Sequence, residues 1–576
     1  MYRGEACLRD RFVRCSVAKR PKYDVSCRLD LGCPAQDGVR LSTDVYLPDA
    51  PGRWPTILIR TPYNNNDPVK KIPLAREFAA AGYAVAIQDV RGRYDSEGRW
   101  EPFFHEAADG HAAQAWLAEQ DFCNGKIALY GRSYEGFCVW MGAFGHHPAV
   151  RAIVPIVALP DPVINVPWWN GSVCWNMIVW ALLVHGRTNQ DAGQYDWEHL
   201  YNFRPLDRLD EQLGFVSPAW REWMAHPTKD DYWQRACYMH RMAELDLPAL
   251  HICGWYDDDG ASTYNNYPNA RRLARSRDEQ YVLIGPWPHQ TNTKCTIPGV
   301  DFGPQEVIDI NGFILDWLDR HIGDRPDNWG QRKRARIFLM GSNDWHDLDD
   351  WPPPQTQEQP FYFHSGGKAN SLLGDGRLSA QPPQTDEPAD EYGYDPNDPT
   401  PYPYDPGTLQ IGGPFDARPI QRRDDVLCYT SEPLTADLII CGRVFAELFV
   451  SSTAEDTEFC AMLCDVYPNG TARQLCDGNV RLALRDSLEK LDPVPPGQIV
   501  KVRIDLWATG IRVFRGHRLR LQVASAAVPK LAAHTNTLEP PGQATRAVLA
   551  HNRVYHDRRY PSRLLLPCVP AAGAPT

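Results

Sequence analysis

No apolar stretch in this chain reaches the roughly 18 residues that a membrane span needs, so none is expected. No Cys-x-x-Cys pair occurs among its 16 cysteines. Cys460 and Cys464 stand close together, but no second pair with histidines completes a zinc set. Residues Met1 to Leu31 alternate charged and apolar side chains and lack the continuous apolar run of a secretory signal. Disulfides are therefore not expected, despite the even cysteine count, and a reduced, cytoplasmic protein is the expectation. Positive charge is also short: 60 Lys and Arg stand against 72 Asp and Glu, a net charge of −12 with a pI near 5.8. That disfavours a nucleic-acid binder, which needs a basic face to displace counterions. No repeat of fixed period is found.

What is present is enough for several cores. At 576 residues, 43% apolar and 11% aromatic, the chain should form about three to five units. Its 50 prolines and 42 glycines exceed the usual share of roughly 12%, which implies many turns and a β-rich section.

Asp37 to Pro48 has strand periodicity, with Val39, Leu41, Thr43, Val45 and Leu47 on one parity. Trp54 to Arg60, Ala84 to Asp89, Lys126 to Tyr130 and Val150 to Pro155 are apolar on both parities, as buried strands are. Helical stretches separate them after Pro73, over Ala107–Gln120 and over Glu135–Phe144. This alternation predicts a parallel sheet covered by helices, an α/β fold, over residues 1–160. From 161 to 245 the rhythm gives way to a Trp-, Asn-, His- and Pro-rich segment, helical near Trp175–Val184 and Trp220–Met224, that reads as a mostly helical cap. The sheet resumes over 246–350 with Pro248–Trp255, Gln280–Gly285 and Arg336–Met340, and an amphipathic helix is expected over Gln305–Arg320. Residues 351–576 change character. Gln381–Thr408 is Pro-rich and reads as a surface loop or linker. Short alternating runs follow at Val426–Thr430, Thr435–Ile440, Ala446–Ser451, Glu458–Val466, Gln498–Leu506 and His517–Ala526. They imply an antiparallel β-sandwich or jelly roll.

The segment KIALYGRSYEGF, Lys126 to Phe137, carries the chemistry. An apolar strand runs into Gly131-Arg132-Ser133 and a helix follows, so the Ser133 hydroxyl would stand on a sharp turn at the sheet edge. The small Gly131 suits a turn that brings backbones close. The free N–H groups at the start of the next helix would face developing negative charge. The second glycine of a G-x-S-x-G motif is displaced, with Glu135 in its place and Gly136 one position later. An ordinary turn serine is the competing reading. A nucleophilic serine needs a base, and the base an orienting acid. Downstream, ALHICGWYDDDG is an apolar strand ending in Asp257, Asp258 and Asp259, and YVLIGPWPHQ is one ending in His289. Both lie past strand carboxyl ends, where open α/β sheets place their sites. Spacing alone leaves Asp258 and Asp259 as alternative acids, and His146, His147, His226 and His240 as alternative bases. The three acids could also bind a cation, but no histidine ligand pattern supports a transition metal.

GRSYEG, GWYD and GPWPH resemble the cocaine-esterase-like (CocE/NonD) group of serine hydrolases, relatives of α-amino-acid ester hydrolases and X-Pro dipeptidyl-peptidases. The resemblance covers nearly the whole chain, including RTPYN, QDVRGRYDSEG, HPTKDDYW, YTSEPLTADLIICGRV and GHRLRLQVAS. It implies an α/β-hydrolase fold with an inserted helical cap and a C-terminal jelly roll. It also implies Ser133 as nucleophile, Asp257 as acid and His289 as base, with the Tyr63 hydroxyl and the Tyr134 N–H forming the oxyanion hole. The chain departs from the pattern in having proline within GPWPH where relatives often have serine. The amino-acid ester hydrolases bind a substrate ammonium with a carboxylate cluster partly placed two and three residues after the acid; those positions here are Asp259 and Gly260, so only one acid is retained. The dipeptidyl-peptidases are generally longer.

The expected activity is hydrolysis of a small carboxylic ester, with amides or short peptide-like substrates secondary. Aminopeptidase or amino-acid ester/β-lactam acylase activity is the alternative within the class. A carbohydrate-binding or structural protein is the alternative outside it. Trp168, Trp169, Trp175, Trp255 and Asp259 could line the substrate pocket, although core packing is the ordinary role of such tryptophans. No metal or organic cofactor is expected, and the C-terminal sandwich could also form a homodimer.

Overall fold

Strands buried on both faces must lie inside a sheet covered by helices, and the computed structural model puts them there. It describes residues 23–193, 195–325, 329–403 and 413–570. The strands are β1 (Val25–Pro34), β2 (Arg40–Pro48), β3 (Trp54–Thr61), β4 (Ala84–Asp89), β5 (Cys123–Arg132) and β6 (Val150–Ile156). A small hairpin, β7 (Trp168–Trp169) and β8 (Ser172–Val173), precedes β9 (Ala249–Tyr256), β10 (Gln280–Pro288), β11 (Ala335–Leu339) and β12 (Asp344–Leu348). Ten of them form one sheet in the order β1-β2-β4-β3-β5-β6-β9-β10-β11-β12. The pairs from β4 through β11 are parallel, and β1, β2 and β12 join antiparallel at the edges. Helices α1 (Lys71–Ala80), α2 (Glu106–Ala118) and α3 (Tyr134–Ala143) connect the first strands. β1 was not foreseen, and most of the N-terminal stretch, residues 1–22, lies outside the described residues.

Between β6 and β9 the chain forms the hairpin, helix α4 (Met177–Leu183), and other short helices such as Pro218–Ala225 and Asp231–Gln234. Two helical expectations change. Ala261–Leu273 is a helix although its sequence, ASTYNNYPNARRL, has no apolar stripe. The helix expected over Gln305–Arg320 is instead Ile310–His321, because the Asp309 carboxylate accepts the Gly312 N–H at 2.9 Å and starts it there.

Beyond residue 350 an 11-stranded sheet forms, antiparallel except where Arg377–Ser379 pairs with Leu427–Ser431. The two strands expected at Thr435–Ile440 and Ala446–Ser451 are one, Leu438–Ser452, whose pairing shifts register between Arg443 and Phe445. The stretch read as a loop or linker contains a strand, Asp390–Tyr394, paired with Ala550–Tyr555. Its alternation of buried Asp390, Tyr392 and Tyr394 with exposed Glu391 and Gly393 supplies the period of two that the prolines around it obscure. Residues 404–408 of that stretch lie outside the described residues.

The turn from β5 into α3 is the strained point. Ser133 holds φ 59° and ψ −127°, a region that costs a non-glycine residue about 1–3 kcal/mol. Its N–H donates to the Ile156 carbonyl at 2.9 Å, and its carbonyl accepts the Phe137 N–H at 3.0 Å. A Cβ on Gly131 would lie 2.2 Å from the Glu135 carbonyl, and one on Gly136 would lie 2.6 Å from Ala158 Cβ. The displaced second glycine thus lets α3 lie against the chain leaving β6. Two substitutions should act with opposite sign. Gly136→Ala should destabilise by about 1–3 kcal/mol through overpacking. Ser133→Gly should stabilise by about 1 kcal/mol by releasing backbone strain. Thermal melting of the two variants checks this, and a Ser133→Gly protein that melts below the parent contradicts the strain assignment.

Candidate active site

Four strand ends supply the groups. Tyr63 follows β3, Ser133 follows β5, Asp257 follows β9 and His289 follows β10. β9 and β10 are neighbours, and their register shifts between Gly285 and Pro288, where the chain bulges over Trp287. That bulge aims His289 sideways, and its Nδ1 stands 2.8 Å from Asp257 Oδ1. Asp259 Oδ2 and Asp258 Oδ1 lie further from the same nitrogen, at 3.6 and 3.8 Å. Among the three consecutive acids only Asp257 is within hydrogen-bonding distance. Its Oδ1 also accepts the Asp259 N–H at 3.1 Å, which shapes the turn before the Ala261–Leu273 helix.

The chain neighbours of Ser133 and His289 bond to one another: Arg132 Nη1 donates to the Gln290 carbonyl at 2.8 Å. Ser133 is half-buried, and its side chain lies near the Tyr63 phenol. The loop carrying Tyr63 is held by its backbone. Tyr63 N–H donates to Thr61 Oγ1 at 3.1 Å, Asn65 N–H to Asp89 Oδ1 at 2.8 Å, and Arg93 Nε to the Pro62 carbonyl at 2.9 Å. Tyr134 begins α3, and its ring is fixed from below: its hydroxyl donates to Glu106 Oε1 at 2.9 Å and accepts the Phe103 N–H at 2.7 Å.

Electrostatics set the proton affinities. Burial works against protonating His289, but the charge and hydrogen bond of Asp257, reinforced by Asp259 and Asp258, raise its pKa to about 10. Burial pushes Asp258 up to about 6 and Asp259 well above the carboxylate range, with His289 opposing both shifts. Burial also raises the Tyr63 phenol, partly offset by its hydrogen bond to Trp180. Asp257, Asp258 and His289 offer ligand atoms within 4.8 Å of one another. A cation there would have to take the Nδ1 that Asp257 already engages.

The other candidates are placed elsewhere. His146 pairs with Asp246 at 2.9 Å, His226 with Asp230 at 2.6 Å, and His240 is exposed. Trp168 is wholly buried, as is Trp175, packed edge-on to Tyr201. Trp255 lies in β9 with its indole N–H on the Phe338 carbonyl at 2.7 Å. Trp169 and Trp255 line, with Asp257 and Asp258, a small cavity against the C-terminal sheet. Sequence reasoning missed Trp180, whose indole Nε1 donates to the Tyr63 hydroxyl at 3.0 Å, and Asn165, whose amide holds the Asp258 carbonyl at 2.9 Å. No sequence signal marks either one. Arg93, in contrast, belongs to the QDVRGRYDSEG stretch that carried the resemblance. Among the described residues no helix is long and apolar enough to cross a membrane.

Comparison with known proteins gives the family. Residues 37–291 match the model of the X-Pro dipeptidyl-peptidase (S15) family, and residues 327–565 match the X-Pro dipeptidyl-peptidase C-terminal non-catalytic domain. The chain is 35% identical to the cocaine esterase of Rhodococcus sp. (strain MB1 Bresler), over 93% of this chain and 97% of that protein. Among solved structures, an α-amino acid ester hydrolase superposes with a TM-score of 0.84 at 25% identity, covering 96% of this chain and 98% of that one. An aminopeptidase from a marine sediment Thaumarchaeota archaeon shares the fold, with a TM-score of 0.84 at 24% identity over 95% of this chain and 97% of its own. Matched along both its halves and across nearly the full length of a 35%-identical relative, the chain belongs to the X-Pro dipeptidyl-peptidase (S15) family of serine hydrolases.

Proposed function

We propose that the protein hydrolyses a carboxylic ester through an acyl-enzyme on Ser133. The observation that carries this reading is the Asp257–His289 hydrogen bond at 2.8 Å, beside a strained, half-buried serine whose neighbour Arg132 bonds the residue after the histidine. His289 Nε2 takes the Ser133 proton as Oγ attacks the ester carbonyl carbon. The oxyanion forms between the Tyr63 hydroxyl and the Tyr134 N–H. His289 then protonates the leaving alcohol, and water attacks the acyl-enzyme with the same histidine as base. Asp257 holds the imidazole in the tautomer that presents Nε2 as acceptor and stabilises the imidazolium. In the same reading residues 161–245 form a cap over the site, and the sheet beyond residue 350 is a jelly-roll sandwich.

A second reading, turnover of α-amino esters or amino-terminal peptides, is favoured by Asp259, a buried carboxylate 3.6 Å from His289 Nδ1. A panel of aryl esters, α-amino esters and X-Pro anilides on one preparation separates the readings. The ester reading expects aryl esters to turn over with no free α-amine. Loss of turnover on capping that amine would favour the second reading. Ser133→Ala should lower turnover at least roughly 10³-fold and abolish labelling by an organophosphonate. Undiminished turnover in that variant rules out the nucleophile.

The pH dependence follows from the carboxylates around His289. Its base form is the neutral imidazole, and a pKa raised from 6.5 to about 10 keeps it protonated to higher pH. The acid limb of kcat/KM should therefore be centred above 6.5, activity rising as pH passes through it. Asp257→Asn should move that limb to lower pH while cutting the rate. A pH–rate profile with its acid limb below 6.5 in the parent protein contradicts the raised value.

A further inference from the structure

The Tyr63 hydroxyl has a partner that neither the serine nor the loop supplies. Trp180, on α4 of the 161–245 segment, donates its indole N–H to the Tyr63 oxygen at 3.0 Å. An indole nitrogen can only donate, so in this bond the phenolic oxygen is the acceptor. The single phenolic proton is thereby left free to point elsewhere, and the Ser133 side chain lies near the same oxygen. Accepting one hydrogen bond also strengthens the bond a hydroxyl donates.

Trp180 is itself immobilised. Its ring stacks on Tyr134 at 5.6 Å and on Trp223 at 6.0 Å between centroids. It therefore touches both residues assigned to the oxyanion hole, Tyr63 through its N–H and Tyr134 through its face. The Tyr63 backbone is held separately, by Thr61 and by Arg93 on the Pro62 carbonyl. Removing the indole N–H would thus free the hydroxyl's rotation without releasing the loop.

We infer that Trp180 is a positioning residue for the oxyanion hole: its indole N–H occupies the acceptor side of the Tyr63 hydroxyl and turns the phenolic proton toward the oxygen of the tetrahedral intermediate. The inference rests on Tyr63 being an oxyanion donor. It makes the inserted segment part of the catalytic geometry and not only a cover.

A double-mutant cycle with Tyr63→Phe and Trp180→Phe tests it, on an aryl ester, with rates expressed per site titrated by an organophosphonate so that only folded enzyme counts. Tyr63→Phe should lower kcat about 10²-fold or more. Trp180→Phe should lower kcat about tenfold, the scale of one neutral hydrogen bond, with KM little changed. Affinity for an arylboronic acid, which forms a tetrahedral adduct on the serine, should fall by the same factor. In the Tyr63→Phe background the Trp180→Phe effect should vanish. Should Trp180→Phe yield no titratable sites, benzothienylalanine at position 180 replaces the N–H by sulfur at nearly constant shape and gives the same readout. An undiminished Trp180 effect in the Tyr63→Phe background overturns the inference, because the ring then acts through packing alone. A Trp180→Phe enzyme with parental kcat, beside an impaired Tyr63→Phe, overturns it as well. A Tyr63→Phe enzyme with parental kcat instead removes Tyr63 from the oxyanion hole, and so fails the parent reading rather than the Trp180 contact.

Discussion

The site depends on closing a gap that the sheet itself imposes. In the order β5-β6-β9-β10, the serine strand and the histidine strand are separated by two others. At about 4.8 Å per strand spacing they stand roughly 14 Å apart. No side chain of ordinary length spans that distance from the strand ends. The chain beyond each strand must lean inward, and the link from Arg132 Nη1 to the Gln290 carbonyl is where the two sides meet. The bulge at the end of β10 and the left-handed backbone of Ser133 are the local deformations that make this possible. Both are departures from regular geometry, and both fall at residues proposed to do chemistry, where stored strain is expected to concentrate.

The deformations are braced from outside the sheet. Asn165, in the inserted segment, holds the Asp258 carbonyl and so fixes the turn that carries Asp257. That segment is in turn gripped by the C-terminal sheet. Ser172 Oγ donates to Glu458 Oε1 at 2.7 Å, Asn479 donates to the Trp169 carbonyl at 3.0 Å, and Trp175 N–H donates to the Lys530 carbonyl at 3.3 Å. The Lys530 ammonium lies 4.0 Å over the Trp169 ring and pairs with Asp477. The family description calls the C-terminal region non-catalytic. Here it bonds the inserted segment at Trp169, Ser172 and Trp175, and Asn165 of the same segment holds the carbonyl next to Asp257.

How much of this was legible in the sequence follows from which forces write themselves into it. Burial on both faces leaves continuous apolar runs, so β3, β4, β5, β6, β9 and β10 were readable, and with them the strand ends that carry Ser133, Asp257 and His289. Burial by polar packing leaves no such trace. The Ala261–Leu273 helix buries Ser262, Thr263, Asn265 and Asn266 as well as Tyr264 and Tyr267, so it shows no apolar stripe. A capping side chain outweighed periodicity at Asp309, where Val307 and Ile308 were expected to be helical and are not. Along Leu438–Ser452 one register shift made one strand read as two. Spacing could not choose among three consecutive acids, because the choice depends on how a turn directs each carboxylate. Trp180 was invisible for a similar reason: its role depends on one donor atom meeting a hydroxyl 117 positions away in the chain.

The C-terminal sheet supplies an internal control on reading function from residue types. Ser365, His556 and Asp390 also form a serine–histidine–acid constellation, with His556 Nε2 3.1 Å from Ser365 Oγ and 2.9 Å from Asp390 Oδ2. By composition and distance it qualifies as a triad. Its chemistry points the other way. Asp390 and Ser365 contact the same imidazole nitrogen, Nε2, while Glu387 Oε2 lies 3.2 Å from the other, Nδ1. Ser365 Oγ donates to Asp390 and not to a base, and Tyr429 and the Ala369 N–H complete the carboxylate's shell. His556 and Asp390 are wholly buried. Against the opposing effect of burial, Asp390 and Glu387 raise the imidazole's proton affinity, and the cluster is a satisfied internal ion pair. What distinguishes residue 133 is therefore not the presence of three residue types. It is a strained, partly exposed hydroxyl that is held beside a phenol donor and at a helix start, where a substrate oxygen could be received.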